Sequence, residues 1–423
     1  MKTMMKSKYK VGLIGVMLTL SAHSMAADVQ PGTVISAANL DQIKNDTFEG
    51  KTIGSMLTEK QEWMIREHGL TMPLRHSESI PKSPGWEEAT EKYAGTVSID
   101  PETRTPVNYK AGRPFPNVDL NDPQAGLKLM WNHDKSGGWP RGTLQDYPKF
   151  AFLFIDGDKG IERVQHWALI RYFLEGKLSG DPVEGDGSVA WKQLLFAHYP
   201  KDIAGIGTYT VRYNDGRFDD SWVYLRSVRR TRRLSGGAWS DPIGGTDQLQ
   251  DEIDVMSANP AWYPAYKVLG KRTIFGVVHS RWPAWHPDEK TEQAIYPTVD
   301  LSKPPYWNPI DDWEPREVYV IEATMPEEHP YSKKIMYYDP DAGVMLMGEN
   351  YDKNGELWKI LLFNASSLTA RDGGSALISN QGHTIDFKRR HATVFVHYDA
   401  AGFNTPGTES SDVSLNVLEA AGK

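Results

Sequence analysis

The feature that most constrains the fold is a series of alternating polar and apolar runs, joined by short turns, in the second half of the chain. The runs lie at residues 207–216 (GTYTVRYNDG), 221–234 (SWVYLRSVRRTRRL), 317–325, 333–363 and 391–399. A period of two predicts strands that send alternate side chains to opposite faces. Asp, Asn and Gly at 339–343 and 352–355 predict hairpin turns. Consecutive hairpins predict an antiparallel meander.

Residues 161–174 fit two structures. Ile161, Val164, Ala168 and Phe173 follow a helical stripe, whereas the even-numbered residues from Val164 to Leu174 follow a strand. Periodicity alone does not decide between them.

The region before the meander has a different character. Thr58 and Gln61 form the pattern of a capping box, and Gly69 stands where a helix beginning there would end. Residues 71–146 are rich in proline and glycine, so we expect an extended strap with short strands that lies over another part of the protein.

The N-terminus predicts export. Lysines at 2, 6, 8 and 10 precede a short apolar run at 11–20, and Ser24-Met25-Ala26 resembles a signal-peptidase site. We expect cleavage after Ala26 and release into the periplasm. The chain has no cysteine, so a lipoprotein signal and disulfides are both excluded.

Composition narrows the function further. A formal net charge of -8 argues against nucleic-acid binding. The 14 Trp, 19 Tyr and 13 Phe suit either a cavity lining or ordinary sheet packing. Several of these aromatic residues fall in the loop-rich stretch 259–315, where they form either a lid over an apolar pocket or a core beneath a long loop.

A cluster of opposite charges is the strongest local motif. Arginines at 226, 229, 230, 232 and 233 are followed by Asp247, Asp251, Glu252 and Asp254. We predict that Arg229, Arg230, Arg232 and Arg233 join Asp247 and Asp251 in a structural ion-pair network, with Asp247 as the N-cap of a helix. An anionic head-group site for the arginines and an acid/base pair of carboxylates are the alternatives.

Motifs of known chemistry are missing from the sequence. It contains no H-E-x-x-H, no G-x-S-x-G elbow, no phosphate-binding loop and no Rossmann fingerprint. Residues 156–160 lack the later ligands of a calcium loop and predict a turn. We therefore expect no catalytic residue, no metal and no cofactor, and a protein that is not an enzyme.

Several segments together resemble a known family. They are NLDQIKNDTFEGKTI, YKAGRPFPNVDLNDPQAGLKLMWN, YPKDIAGIGTYTVRYND, DDSWVYLRSVRRTRRLS, GGTDQLQDEID, VLGKRTIFG and REVYVIEATMPEEHPYSKKIMYYDPD. Their order and spacing resemble the family called domain of unknown function 1329, within the LolA/LolB-like superfamily of periplasmic carriers. The resemblance covers nearly the whole chain after the predicted signal peptide.

The resemblance implies a mainly β protein: a strongly curved, incompletely closed antiparallel barrel with helices and loops in its concave side. With the signal peptide predicted at 1–26, the rest of the chain is expected to form a single domain at 27–423, with an N-terminal helix and strap at 27–150 and the main sheet at 160–400. It also favours a strand at 161–174 and a structural role for the arginine and aspartate cluster.

The function expected from this resemblance is periplasmic carriage of a lipid or other hydrophobic molecule. Trp222, Tyr224 and Trp262 are the candidate ligand-binding residues. Partners implied by the family are an inner-membrane exporter of the resistance-nodulation-division type and an outer-membrane protein. A scaffold without ligand in an envelope export complex and a periplasmic hydrolase using Asp247 or Asp251 are the alternatives.

Overall fold

The computed structural model describes residues 27–82, 84–136, 144–178, 185–226, 228–288, 290–291, 293–371, 373–398 and 402–422. The predicted signal peptide, residues 1–26, lies outside these ranges. The α-helices are α1 (Leu40–Ile43), α2 (Ile53–Met56), α3 (Glu59–His68), α4 (Pro84–Tyr93), α5 (Ala125–Ser136) and α6 (Leu415–Ala421). No described helix is both long enough and apolar enough to span a membrane.

The main sheet is antiparallel and has thirteen strands along its path. They are β1 (Leu144–Asp156), β2 (Gly160–Phe173), β3 (Val189–Tyr199), β4 (Gly207–Tyr213), β5 (Asp220–Leu225), β6 (Arg230–Arg233), β7 (Ala265–Gly276), β8 (Glu314–Thr324), β9 (Tyr331–Asp339), β10 (Val344–Asp352), β11 (Leu357–Thr369), β12 (Ser375–Asp386) and β13 (His391–His397). Gly402–Phe403 adds a short pairing to β1.

The spatial order of the strands is β6-β5-β4-β3-β2-β1-β13-β12-β11-β10-β9-β8-β7. Two meanders therefore meet where β1 pairs with β13, as in the partnership of Phe152 with Phe395. The connection from β6 to β7 must travel from one edge of the sheet to the other. We call this connection, residues 234–264, the crossing segment.

Short elements complete the chain. Two-residue strands lie at Val34–Ile35, Thr47–Phe48, Lys51–Thr52, Met72–Pro73, Ser98–Ile99, Pro106–Val107, His286–Pro287, Ala294–Ile295, Val299–Asp300 and Asn308–Pro309. Single 3₁₀ turns lie at Ala94–Thr96, Gly236–Ser240, Gln250–Glu252, Pro260–Trp262 and Ser410–Asp412.

Both faces of the sheet are covered. The face that carries Phe152, Leu195 and Phe363 packs against the crossing segment, and we call it the groove face. The opposite face packs against the N-terminal residues 35–80 and against the loop 277–313. Over β2–β5 the opposite face is covered instead by α6 through Leu418.

The two edges of the sheet differ. The edge strand β7 is covered, because the Gln61 side chain donates to the Phe275 carbonyl at 2.7 Å and Arg272 donates to the Leu57 carbonyl at 2.7 Å. The other edge strand, β6, is short and consists of arginines and one threonine.

The expected fold class is confirmed: the protein is mainly β, with a large curved antiparallel sheet that does not close into a barrel. Of residues 161–174, all but Leu174 lie in strand β2. The turns predicted at 339–343 and 352–355 join β9 to β10 and β10 to β11. The capping box is present, with Gln61 N–H donating to Thr58 Oγ1 at 3.0 Å and Gly69 in the left-handed conformation.

The expectation of an extended strap at 71–146 is wrong in part, because this region contains helices α4 and α5. Helix α5 packs Leu129 and Met130 against the groove-face core and Leu127 and Trp131 against a separate small core. Its apolar side chains thus point to two sides, so the sequence lacks the single apolar stripe from which an amphipathic helix is predicted. Pro84 begins α4, which is a position that proline tolerates, and Pro73 and Pro106 lie in two-residue strands.

Candidate ligand-binding groove

The crossing segment lies on the groove face and fills much of it. Its apolar side chains join those of the sheet in one core, and they are Trp239, Ile243, Leu249, Val255, Met256, Ala258 and Tyr263. In the part of the chain that the structure describes, the segment contains three 3₁₀ turns and one isolated β-bridge, between Pro242 and Leu249, and no α-helix or strand. Its position is therefore set by contacts with the sheet rather than by secondary structure of its own.

Asp251 is the first of three acidic residues that hold the segment to the sheet. Its carboxylate is 2.6 Å from Lys334 Nζ, and both side chains are inaccessible to solvent. Tyr263 Oη donates to the same carboxylate oxygen, and so does His329 Nε2 at 3.2 Å. Burial alone would raise the pKa of Asp251, but the charge of Lys334 and the His329 hydrogen bond hold that pKa well below its usual value.

Glu252 is the second of these residues and is fully buried. One carboxylate oxygen accepts from Tyr331 Oη at 2.6 Å and from Asn350 Nδ2 at 2.6 Å. The other accepts from the Leu249 N–H at 2.7 Å and lies 3.5 Å from Lys359 Nζ. Removing this carboxylate would take away the partner of the buried donors Tyr331 Oη on β9 and Asn350 Nδ2 on β10.

Asp247 is the third and binds β13. It accepts hydrogen bonds from His391 Nδ1 and from Thr393 Oγ1, the latter at 2.9 Å, and its other oxygen is 3.0 Å from Arg389 Nη1. The hydrogen bond with Asp247 raises the pKa of His391. We call Asp247, Asp251 and Glu252 the three anchors, since all of them bind the β9–β13 side of the sheet.

The other side of the segment is held by fewer contacts. Arg212 on β4 donates to the Ser257 carbonyl at 2.6 Å while it forms a bidentate pair with Asp219 at 3.0 and 2.9 Å. Trp262 Nε1 donates to the Gly216 carbonyl at 2.9 Å. We call these two hydrogen bonds, Arg212 to Ser257 and Trp262 to Gly216, the clasps.

A groove remains between the clasps and the sheet. It consists of three neighbouring cavities of about 70, 60 and 50 Å³, all of which Arg171 lines. The second is walled mainly by apolar side chains, and they are Phe150, Phe152, Leu169, Leu195, Ile243, Ile253 and Phe395. The other two are polar and lie around Trp191 and Arg212. The groove thus joins an apolar chamber to charged ones.

The predicted ligand-binding residues separate in the structure. Trp262 lines the groove, next to Trp239. Trp222 and Tyr224 lie on the opposite face, in the core covered by α6, where Tyr224 is 2% exposed. Their assignment to a groove is therefore corrected, because alternation shows that the two share a face but not which face.

The predicted ion-pair network is also corrected. Arg233 pairs with Asp220, its neighbour across the hairpin, rather than with Asp247 or Asp251. Arg229, Arg230 and Arg232 are exposed. Asp247 does not cap a helix, since only the single 3₁₀ turn Gln250–Glu252 follows it. The aspartates instead pair with Arg389, His391, Lys334 and His329.

The tryptophans of the loop-rich stretch 259–315 lie on both faces of the sheet. Trp285, Trp307 and Trp313 are at most 2% exposed and belong to the core of the opposite face. Trp282 packs at the edge of the groove-face core. Most of the stretch is core beneath a long loop. Among the described residues, no three His, Asp or Glu side chains group closely enough to hold a metal ion.

Comparison with known proteins decides the family. The family model described as a protein of unknown function (DUF1329) matches residues 34–417. The chain belongs to the DUF1329 family. No curated protein matches the sequence.

Solved structures resemble this DUF1329 protein at low identity. A candidate outer membrane lipoprotein-sorting protein domain from Vibrio parahaemolyticus has 17% identity and a TM-score of 0.48, covering 70% of this chain and 100% of that one. A DUF1329 family protein from Desulfovibrio piger has 17% identity and a TM-score of 0.46, with 70% and 99% coverage. A LolA superfamily protein from Nitrosomonas europaea has 14% identity and a TM-score of 0.41, with 69% and 98% coverage.

Sequence reasoning missed several groove and anchor residues of this DUF1329 protein. Lys334 and Lys359 lie in strands, where a lysine normally indicates an exposed position, yet they are 0% and 4% exposed. The only sequence signal for these lysines is alternation. Lys334 lies two and four residues before Met336 and Tyr338, which are both buried on the groove face, so a strand places all three on that face. In the same way, Arg171 lies two residues after Leu169 and therefore on the same face of its strand.

Proposed function

We propose that this protein binds a hydrophobic or amphiphilic molecule in the groove and carries it through the periplasm. The observation that carries the proposal is the apolar chamber around Leu195, which shares Arg171 as a lining residue with two polar chambers that Arg212 also lines. Apolar walls with a few charged groups at one end are typical of sites for small amphiphiles. Each buried CH₂ of such a ligand contributes about 0.8 kcal/mol.

The groove must widen before it can hold such a ligand. Its apolar chamber has a volume of about 60 Å³, whereas a cavity of about 150 Å³ is needed for a molecule as small as benzene. The crossing segment therefore occupies the space that a ligand would take. Carriage requires movement of the segment relative to β2–β5.

The contacts of the segment suggest which side moves. The three anchors include a fully buried ion pair, and breaking such a pair by losing one partner costs about 3–5 kcal/mol. The clasps are two part-buried hydrogen bonds: the one from the charged Arg212 contributes about 1.5–3 kcal/mol and the neutral one from Trp262 about 1 kcal/mol. We infer that the groove opens on the clasp side while the anchors hold the segment to β9–β13.

Two binding measurements test this function. Native mass spectrometry of protein purified from its own envelope without detergent should show a bound lipid-like mass. N-phenyl-1-naphthylamine, an apolar fluorophore, should bind the emptied protein with increased fluorescence and be displaced by a long-chain fatty acid. A mass without ligand and no fluorophore binding, also after incubation with membrane extract, would refute the proposal.

The small volume of the groove favours a second candidate, a scaffold without ligand in an envelope export complex. An exporter of the resistance-nodulation-division type and an outer-membrane protein are the proposed partners in both cases. A scaffold would retain its partners after the groove is filled by Leu195→Trp, whereas a carrier would lose transport. Pull-down and transport measured on this one variant distinguish the two.

A further inference from the structure

The edge hairpin of the sheet carries a concentration of positive charge. Arg226, Arg229, Arg230 and Arg232 lie in or beside the turn between β5 and β6, and Val228 stands among them with 50% of its surface exposed. We call these five residues the arginine hairpin. The charge is local, because the chain as a whole has a net charge of -8.

These four arginines have no carboxylate within ion-pair distance among the residues that the structure describes. Neighbouring acids have other partners: Asp220 pairs with Arg233, and Glu419 accepts from Thr231 Oγ1 at 2.8 Å. Arg226 donates to the Ala204 carbonyl at 3.1 Å, which fixes the base of the hairpin. The guanidinium groups of Arg229, Arg230 and Arg232 are left to solvent.

Protection of a sheet edge does not explain so much charge of one sign. A very short edge strand already pairs poorly with another chain, and β6 has only four residues. A half-exposed valine among the arginines works against solubility. Together these features point to a partner that offers both anionic groups and an apolar layer.

We propose that the arginine hairpin binds the surface of an anionic phospholipid bilayer. Guanidinium groups form paired hydrogen bonds with phosphate, and Val228 would enter the boundary between head groups and acyl chains. A basic segment near an anionic membrane gains about 1 kcal/mol per arginine, which is about a fivefold factor in binding. This inference does not depend on whether the groove binds a ligand.

The arginine hairpin lies next to the groove in the chain, so binding of the hairpin to a membrane would also position the groove. Strand β6 continues into Leu234, Ser235 and Gly236, which line both a polar chamber of the groove and a more open pocket beside it. Four residues of extended chain separate Arg230 from Leu234, roughly 13 Å. A hairpin bound to the bilayer therefore brings the mouth of the groove close to the lipid.

Co-sedimentation with vesicles tests the proposal. The protein should bind vesicles of phosphatidylglycerol and phosphatidylethanolamine, should not bind phosphatidylcholine vesicles, and should be released by added salt. The triple variant Arg229→Gln, Arg230→Gln, Arg232→Gln should bind the anionic vesicles at least about tenfold more weakly. The matched control removes three exposed lysines elsewhere: Lys92→Gln, Lys110→Gln and Lys267→Gln.

The control variant has the same net charge as the test variant, so its binding should stay at the wild-type level. Equal loss in both variants would overturn the proposal, because it would reflect overall charge. No binding of the wild-type protein to anionic vesicles would also overturn it. If the wild-type protein then binds polyglutamate and the triple variant does not, the partner of the arginine hairpin is an acidic protein. Circular dichroism confirms that both variants are folded.

Discussion

Asp251 of the crossing segment and Lys334 of β9 form an ion pair of 2.6 Å in which neither side chain is accessible to solvent. Leaving one buried charge without its partner costs about 3–5 kcal/mol. We therefore expect Lys334→Met to lower the free energy of unfolding by that amount, as measured by urea denaturation. Lys271→Met, which breaks the exposed pair with Glu317, should cost less than about 1 kcal/mol. Equal losses would contradict the assigned role of the buried pair.

The anchor at Asp247 should give stability a dependence on pH. Because the hydrogen bond with Asp247 raises the pKa of His391, the folded state holds that proton more tightly than the unfolded state. The stabilisation is fully present below the ordinary histidine pKa, about 6.5, and is lost as pH rises through the raised value. The difference in unfolding free energy between wild type and His391→Gln should thus shrink from pH 6 towards pH 9 (about these values). A constant difference would contradict this.

His383 should contribute a dependence of the opposite sign. It is fully buried, its Nδ1 donates to the Trp307 carbonyl at 2.7 Å, and burial lowers its pKa to about 4. Between the ordinary value of about 6.5 and this value, only the unfolded state takes up the proton, so stability falls as pH falls.

We expect the loss of unfolding free energy between about pH 7 and pH 5 to be about 2 kcal/mol smaller in His383→Gln than in wild type. His286→Gln is the control, because this side chain lies in a two-residue strand outside the core and is only half-buried. If His383→Gln and wild type lose the same stability over this range, the buried neutral histidine is not the cause.

The Trp262 clasp should limit how fast the groove opens. Trp262→Phe keeps an aromatic ring but removes the hydrogen bond to the Gly216 carbonyl. Loss of about 1 kcal/mol should speed uptake of N-phenyl-1-naphthylamine about fivefold in stopped-flow fluorescence. Trp222→Phe, on the opposite face, should leave the rate unchanged. A faster rate in both variants would point to general loosening rather than to the clasp.

Local signals in the sequence predicted much of the fold. The capping box at Thr58 and Gln61 needs only residues three positions apart, so it could be read directly. The meander followed from alternation and from turn residues. Residues 161–174 could not be settled by periodicity, because β2 is buried on both faces and its apolar residues, such as Trp167, Ala168 and Leu169, are consecutive.

The groove was much less predictable, because it depends on which residues meet across the fold. Alternation placed Trp222 and Tyr224 together but gave no information about which face the crossing segment covers. Nearby charges in the sequence suggested that Arg229 pairs with Asp247, whereas Asp247 bonds to His391, which is 144 residues away. Contacts at that distance leave no local pattern. The family resemblance predicted the curved sheet, but not the partners of each anchor.

The central claim, that the groove opens on the clasp side to admit an apolar ligand, can be tested with engineered disulfides, since the chain has no cysteine. A Cβ at Gly216 would lie 3.7 Å from that of Ala261, and a Cβ at Gly348 would lie 3.8 Å from that of Val255. Both distances suit a disulfide, for which about 3.5–4.5 Å is usual. Gly216 and Val255 have positive φ angles of 83° and 69°, at which a cysteine is strained, so the reduced form of each variant is its own control. The first pair locks the clasp side and the second locks the anchor side.

The decisive measurement is binding of N-phenyl-1-naphthylamine to each double-cysteine variant before and after reduction. We predict that Gly216→Cys/Ala261→Cys fails to bind the fluorophore when oxidised and recovers binding when reduced. Gly348→Cys/Val255→Cys should bind equally in both states. Binding by the oxidised clasp variant at the level of its own reduced form would contradict the account.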